Sequence, residues 1–125
     1  MSQIFESGEM YLEDILVLKK RGDVRSIDIV NFTGYSRPSI SRAISLLKKD
    51  EYITVDAHGY IDLTEKGRSI AEKIYERHNV MTAFFEYIGV DPDVAEQDAC
   101  KIEHVISDET FEKIKEHASS LTSKL

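Results

Sequence analysis

Cysteine is almost absent from this chain. Cys100 is the only one among 125 residues, so no internal disulfide can form and a reducing cytoplasm is the expected address. Long apolar runs are missing too, and none reaches the roughly 18 residues needed to cross a bilayer. No basic stretch followed by an apolar one opens the chain, so no secretory signal is expected. Internal repeats and low-complexity linkers are likewise absent, which leaves one compact unit or two small ones sharing a core.

Positive charge is also short overall. Sixteen Lys and Arg face 23 Asp and Glu, a net charge of −7, which on its face disfavours a nucleic-acid partner. The distribution reverses that expectation. From Lys19 to Lys49 there are eight basic residues and two acidic ones, a local +6 that leaves −13 for the rest of the chain. A basic head on an acidic body suits a DNA reader, although a solvated basic helix pair gives the same count.

Residues 9–21 repeat at helical spacing, with Tyr11, Leu12, Ile15, Leu16 and Leu18 on one face and Gly22 as a stop. Met10 and Glu13, three apart, are neighbours on that helix. A second helix is predicted over residues 26–33, capped by Ser26 and ended by Gly34. In the third, over residues 36–49, Ser36 caps and Pro38 falls in the first turn, where its missing N–H costs little. Ile40, Ala43, Ile44 and Leu47 turn inward, leaving Arg37, Ser39 and Arg42, with Ser41 and Ser45, outward. Two short helices about a glycine turn, the second with Arg and small polar residues near its start, describe a helix-turn-helix. The candidate DNA contacts are Arg25, Ser36, Arg37, Pro38, Ser39, Ser41 and Arg42.

Strict alternation then replaces helical spacing at residues 52–56 and 60–63, around His58-Gly59, and predicts a β-hairpin wing. A long helix follows from a Thr64 cap to near Gly89, long enough to accommodate a break at Arg77-His78. Asp91-Pro92 opens a helix expected to carry Glu96, Cys100, Glu103 and His104. Ser107 caps a last one, with Phe111, Ile114 and Leu121 on its apolar side. The expected fold is mainly α with a small β-hairpin. It comprises a winged helix-turn-helix over residues 1–64 and a helical domain over residues 65–125, to which the family resemblance given below assigns metal binding and dimerisation. Apolar faces around Phe84, Phe85, Ile88 and Ile102 are expected to form a homodimer.

Chemistry concentrates in Cys100-Lys101-Ile102-Glu103-His104. On a helix, positions i, i+3 and i+4 share one face, so thiolate, carboxylate and imidazole project together, with Glu96 one turn back. That mixture of soft, intermediate and hard donors suits a first-row transition metal. Taken alone, the same residues also fit a buried core cysteine beside a hydrogen-bonded histidine. An enzymatic reading, with Cys100 as nucleophile and His104 as base, lacks any recognisable oxyanion hole and is set aside.

Three motifs in order, Glu-Met-Tyr-Leu at 9–12, Ser-x-Pro-Ser-Ile-Ser at 36–41 and Ala-Cys-x-x-Glu-His-Val-x-Ser at 99–107, resemble the diphtheria toxin repressor family of metal-dependent regulators. The resemblance implies a repressor that binds a palindromic operator as a homodimer under control of Fe²⁺ or Mn²⁺, in a short form without an SH3-like domain. It implies a regulatory site of Met10, Cys100, Glu103 and His104. The Met and Cys pair resembles the iron-responsive branch, while Glu13 matches a ligand of the manganese branch; iron is favoured. His78 matches a second-site ligand whose usual carboxylate partner is replaced by Thr82, with Glu96 at another partner position. Two other readings stay open: a winged-helix regulator answering a non-metal signal, and a winged-helix protein-interaction module.

Overall fold

The computed structural model describes residues 6–122, with side chains from 7 to 118. The chain divides into two compact units, residues 1–72 and 73–125. The described residues form six helices and two short strands: α1 Glu6–Lys19, α2 Ser26–Thr33, α3 Arg37–Lys49, β1 Ile53–Val55, β2 Ile61–Leu63, α4 Glu65–Tyr87, α5 Pro92–Ile102 and α6 Asp108–Thr122. The mainly helical class with one small hairpin is as expected. Among the described residues no helix is long and apolar enough to cross a membrane.

In the first unit α1 buries Tyr11, Leu12, Ile15 and Leu16, as the spacing predicts. The helix begins earlier than expected, however, and takes Gly8 into its body. Burying an apolar face outweighs the propensity cost of one glycine, about 1 kcal/mol. The expected cap of α2 is also corrected. Ser26 is the first helical residue, and the cap position belongs to Arg25. The Asp28 carboxylate, one turn in, accepts the Arg25 N–H at 2.8 Å, half of a capping box that needs no serine. Gly34 ends α2 with φ 77°, where a side chain is costly, and returns its N–H to the Val30 carbonyl at 2.8 Å.

In α3, Ser36 accepts the Ser39 N–H at 3.3 Å, Pro38 sits in the first turn, and Ile40, Ala43, Ile44 and Leu47 are buried. The hairpin is antiparallel, with Ile53 opposite Leu63 and Val55 opposite Ile61. Ile61 also donates to the Val24 carbonyl at 2.8 Å, a one-residue bridge invisible as a pattern because Val24 stands alone among charged and polar neighbours. At the tip, Asp56 accepts both the His58 and Tyr60 N–H groups at 2.9 Å.

Helix α4 runs unbroken past Arg77-His78. At its start the Thr64 hydroxyl accepts the Gly67 N–H at 3.1 Å and donates to the Glu51 carbonyl at 2.7 Å. This seats α4 on the Tyr52 main chain so closely that a Cβ at Gly67 would lie 1.9 Å from the Tyr52 carbonyl oxygen.

The second unit closes around Met81, Ala99 and Phe111, with Val80, Phe85, Ile102, Ile106 and Ile114 packed against them. Two of the four residues expected at a dimer face, Phe85 and Ile102, therefore serve this unit's own core. Tyr87, Ile88, Val94 and Val105 remain exposed. Leu121 lies outside the described side chains.

Gly67→Ala is expected to destabilise the protein by about 1–3 kcal/mol, since backbone rather than a flexible side chain opposes the added carbon. Thermal melting checks this, and an unchanged midpoint would show that α4 does not need so close an approach.

Candidate metal centre

The sequence expectation that one helix carries both Glu103 and His104 is corrected. Asp91 caps α5 by accepting the Asp93 N–H at 3.1 Å, and the helix ends at Ile102. Glu103 keeps helical dihedrals (φ −60°, ψ −25°) and donates its N–H to the Ala99 carbonyl at 3.0 Å. Beyond it the chain tightens into a turn, where Val105 and Ile106 both donate to the Ile102 carbonyl at 3.1 and 3.0 Å. His104 lies on that turn. Ser107 then accepts the Thr110 N–H at 3.1 Å and starts α6, which leaves no room for α5 to continue.

The turn lets the Glu103 side chain enter the unit completely. It is 0% exposed, between two imidazoles: His78 Nδ1 lies 2.9 Å from Oε2 and His104 Nε2 lies 3.3 Å from Oε1. The His104 side chain is 5% and the His78 side chain 21% exposed. Taking a carboxylate out of water costs several kcal/mol unless charge and hydrogen bonds compensate it. One imidazole meets each carboxylate oxygen, and imidazole and carboxylate are donor types that a first-row divalent cation favours. The residues present therefore fit a divalent metal.

Of the other sequence candidates, Cys100 and Glu96 lie one turn apart on α5 and are both exposed. Met10 and Glu13 lie one turn apart on α1, each half-buried. Thr82, at the position where the resemblance leads one to expect a carboxylate, has a buried hydroxyl with no hydrogen-bond partner among the described residues.

One important residue escaped the sequence reading. Arg77, next to His78 on α4, is only 5% exposed. Its Nη1 donates to the main-chain carbonyls of Glu103 (3.2 Å) and Ile106 (2.9 Å), and Nη2 bonds the Asp108 carboxylate. The Phe111 ring lies 5.3 Å from the guanidinium carbon. A signal was available, since Arg77 interrupts the buried stripe Ile74, Arg77, Met81 at helical spacing. Lys73, a turn earlier, also reaches Asp108, at 3.0 Å.

On the first unit, the candidate DNA contacts Arg25, Ser36, Arg37, Pro38, Ser39, Ser41 and Arg42 are all exposed: Arg25 caps α2, Ser36 caps α3, and the other five lie on α3 outside its buried face. Ser36 and Ser39 also hydrogen-bond each other at 2.9 Å. Arg25 stacks over the Tyr60 ring of the wing at 4.3 Å.

Lys73, and after it Arg77, holds the Asp108 carboxyl below its ordinary 3.8. A depressed folded-state value adds stability above about pH 4, where the unfolded chain is ionised, and this is lost as pH falls through the folded value. Asp108→Asn is therefore expected to lower the thermal midpoint at neutral pH and to converge with wild type once the pH has fallen below the folded value. A deficit that persisted in acid would show that charge is not its origin.

The family model described as the iron dependent repressor, metal binding and dimerisation domain matches residues 64–124. An uncharacterized HTH-type transcriptional regulator of Methanocaldococcus jannaschii is 30% identical over 113 residues, 88% of this chain and 90% of that protein. The solved structure of T. acidophilum IdeR superposes with a TM-score of 0.75 at 25% identity, covering 94% of this chain and 55% of that one. A manganese-dependent transcriptional repressor in complex with manganese gives 0.81 at 23% identity, covering 90% and 52%, and shows the shared fold. This chain spans about half the length of those two structures. With a helix-turn-helix and wing in one unit and a buried His-Glu-His cluster in the other, the chain belongs to the diphtheria toxin repressor family of metal-dependent transcriptional regulators.

Proposed function

We propose that this protein is a metal-activated repressor that binds a palindromic DNA operator as a homodimer and controls metal-homeostasis genes. Ferrous iron is the favoured ion and manganese the alternative. The observation that carries the reading is the fully buried Glu103 carboxylate held between His78 and His104, a donor set that first-row divalent metals favour. Residues 1–64 are assigned to DNA reading and residues 65–125 to metal binding and dimerisation.

The regulatory site is assigned to Met10, Cys100, Glu103 and His104, with Glu13 as a further ligand. His78 and Glu96 are assigned to a second site that shares its surroundings with the first. Met10 and Cys100 bring sulfur, and soft donors favour iron over manganese. When bound, the ion supplies a charge that ligands from two parts of the chain must share, and so it favours one arrangement of the DNA-reading heads. A coupling of about 1–3 kcal/mol changes DNA affinity roughly 5- to 150-fold. Because thiolate, carboxylate and neutral imidazole are the ligating forms, metal affinity falls as pH falls.

On the DNA side, the exposed Arg37, Ser39, Ser41 and Arg42 are assigned to the major groove, with Arg25 and the wing on the phosphate backbone. Exposed Ile88 and Val105 are assigned to the dimer contact.

Anaerobic calorimetric titration of the reduced, chelator-treated protein with Fe²⁺ and Mn²⁺ tests the sensor. Cys100→Ala is expected to lose metal-activated operator binding while melting like wild type, and full activation at equal metal would remove Cys100 from the site. Arg42→Ala is expected to weaken operator binding by about 1–3 kcal/mol if its guanidinium reads a base edge. An unchanged affinity in a salt titration would move the reading contact elsewhere on α3.

A further inference from the structure

We infer that Arg77 is a positioning residue for metal binding, a non-ligand whose guanidinium sets the place of the Glu103–His104 turn. The inference rests on the metal-binding reading above and goes beyond it, because Arg77 offers no electron pair to a cation.

The argument starts from the end of α5. The last carbonyls of a helix have no partner within it, and here they belong to the segment that must present Glu103 and His104. The turn between the two helices is five residues long, 103–107, and carbonyls in so short a segment do little to fix it if they face only water. Arg77 supplies what is missing. One nitrogen, Nη1, takes two of the turn's carbonyls, Glu103 at 3.2 Å and Ile106 at 2.9 Å. The other, Nη2, takes Asp108 in the first turn of α6. A cation at the C-terminal end of α5 and an anion at the N-terminal end of α6 both suit the helix dipoles.

Two neighbouring α4 residues therefore act on one acid. His78 meets the Glu103 side chain at 2.9 Å, and Arg77 meets its main-chain carbonyl. Together they leave Glu103 little freedom in either backbone or side chain. The surroundings keep the fork in place: Arg77 is 5% exposed, the Phe111 ring lies beneath it, and Lys73 shares Asp108. Only a planar, multiply donating group reaches all three acceptors at once. Lysine keeps the charge but has a single nitrogen, so the exchange of Arg for Lys separates geometry from electrostatics.

Outer contacts that orient ligands are typically worth about 10- to 100-fold in metal affinity, and Arg77→Lys is expected to fall in that range. The test is Mn²⁺ titration, followed by the paramagnetic signal of the free ion and by calorimetry. It uses wild type, Arg77→Lys and Asp108→Asn, with thermal midpoints measured without metal. The Co²⁺ absorption spectrum supplies a readout of ligand geometry that a change in stability alone would leave untouched.

Support is a folded Arg77→Lys protein with weakened Mn²⁺ binding and an altered Co²⁺ spectrum. Wild-type affinity and spectrum in that variant overturn the inference while leaving the metal reading intact. Absence of Mn²⁺ and Co²⁺ binding in wild type overturns the metal reading and this inference with it. If Arg77→Lys does not fold, Asp108→Asn decides. It weakens the same fork from an exposed position by removing the negative charge that Nη2 meets, and a several-fold loss of affinity supports the assignment whereas none overturns it.

Discussion

A carboxylate buried to 0% exposure is the constraint around which the second unit is arranged. Glu103 cannot remain there as a bare anion, because removal from water costs more than a small helical unit can supply from its apolar core. Two imidazoles meet its side chain, and Arg77 meets its main chain. The core of Met81, Ala99 and Phe111 packs the three helices that bring these groups together. The position of α4 then matters twice: once for packing, and once because it presents Arg77 and His78 side by side to a turn that lies 25 residues further along the chain.

The first unit follows a different logic. Its core is built from conventional apolar faces, and its chemistry faces outward. α3 buries Ile40, Ala43, Ile44 and Leu47, which obliges Arg37, Ser39, Ser41 and Arg42 to face solvent, where a DNA groove could meet them. The wing is pinned by the antiparallel pairing of β1 with β2 and by the Val24 bridge. It is also fixed through Gly67, which lets α4 press against the Tyr52 carbonyl. An acidic chain can thus carry a basic surface, since net charge says little about where the charges stand.

Several features were legible without coordinates because they depend on neighbours in the chain. The helices over α1, α2 and α3, the Ser36 cap and the hairpin follow from periodicities of 3.6 and 2 and from local side-chain bonds. Where the sequence reading failed locally, the cause was a competing partner. Asp28 took over the capping that Ser26 was expected to provide, and packing carried α1 through Gly8. Apolar residues on a helix do not announce every surface they will meet, and Phe85 and Ile102, expected at a dimer face, pack partly buried against the core of their own unit.

The sequence by itself determined the class of fold, the outward Arg and Ser residues of α3, and the presence of a Cys, Glu and His cluster near residue 100. All of these are encoded in spacings of a few residues. Only the tertiary structure decided that α5 stops at Ile102, that His78 and His104 share the Glu103 carboxylate, and that Arg77 holds the turn between them. The contacts of His78 and Arg77 join positions 25 to 31 residues apart. No local pattern records such a pairing, because it depends on how two helices pack and on which buried polar group most needs a partner.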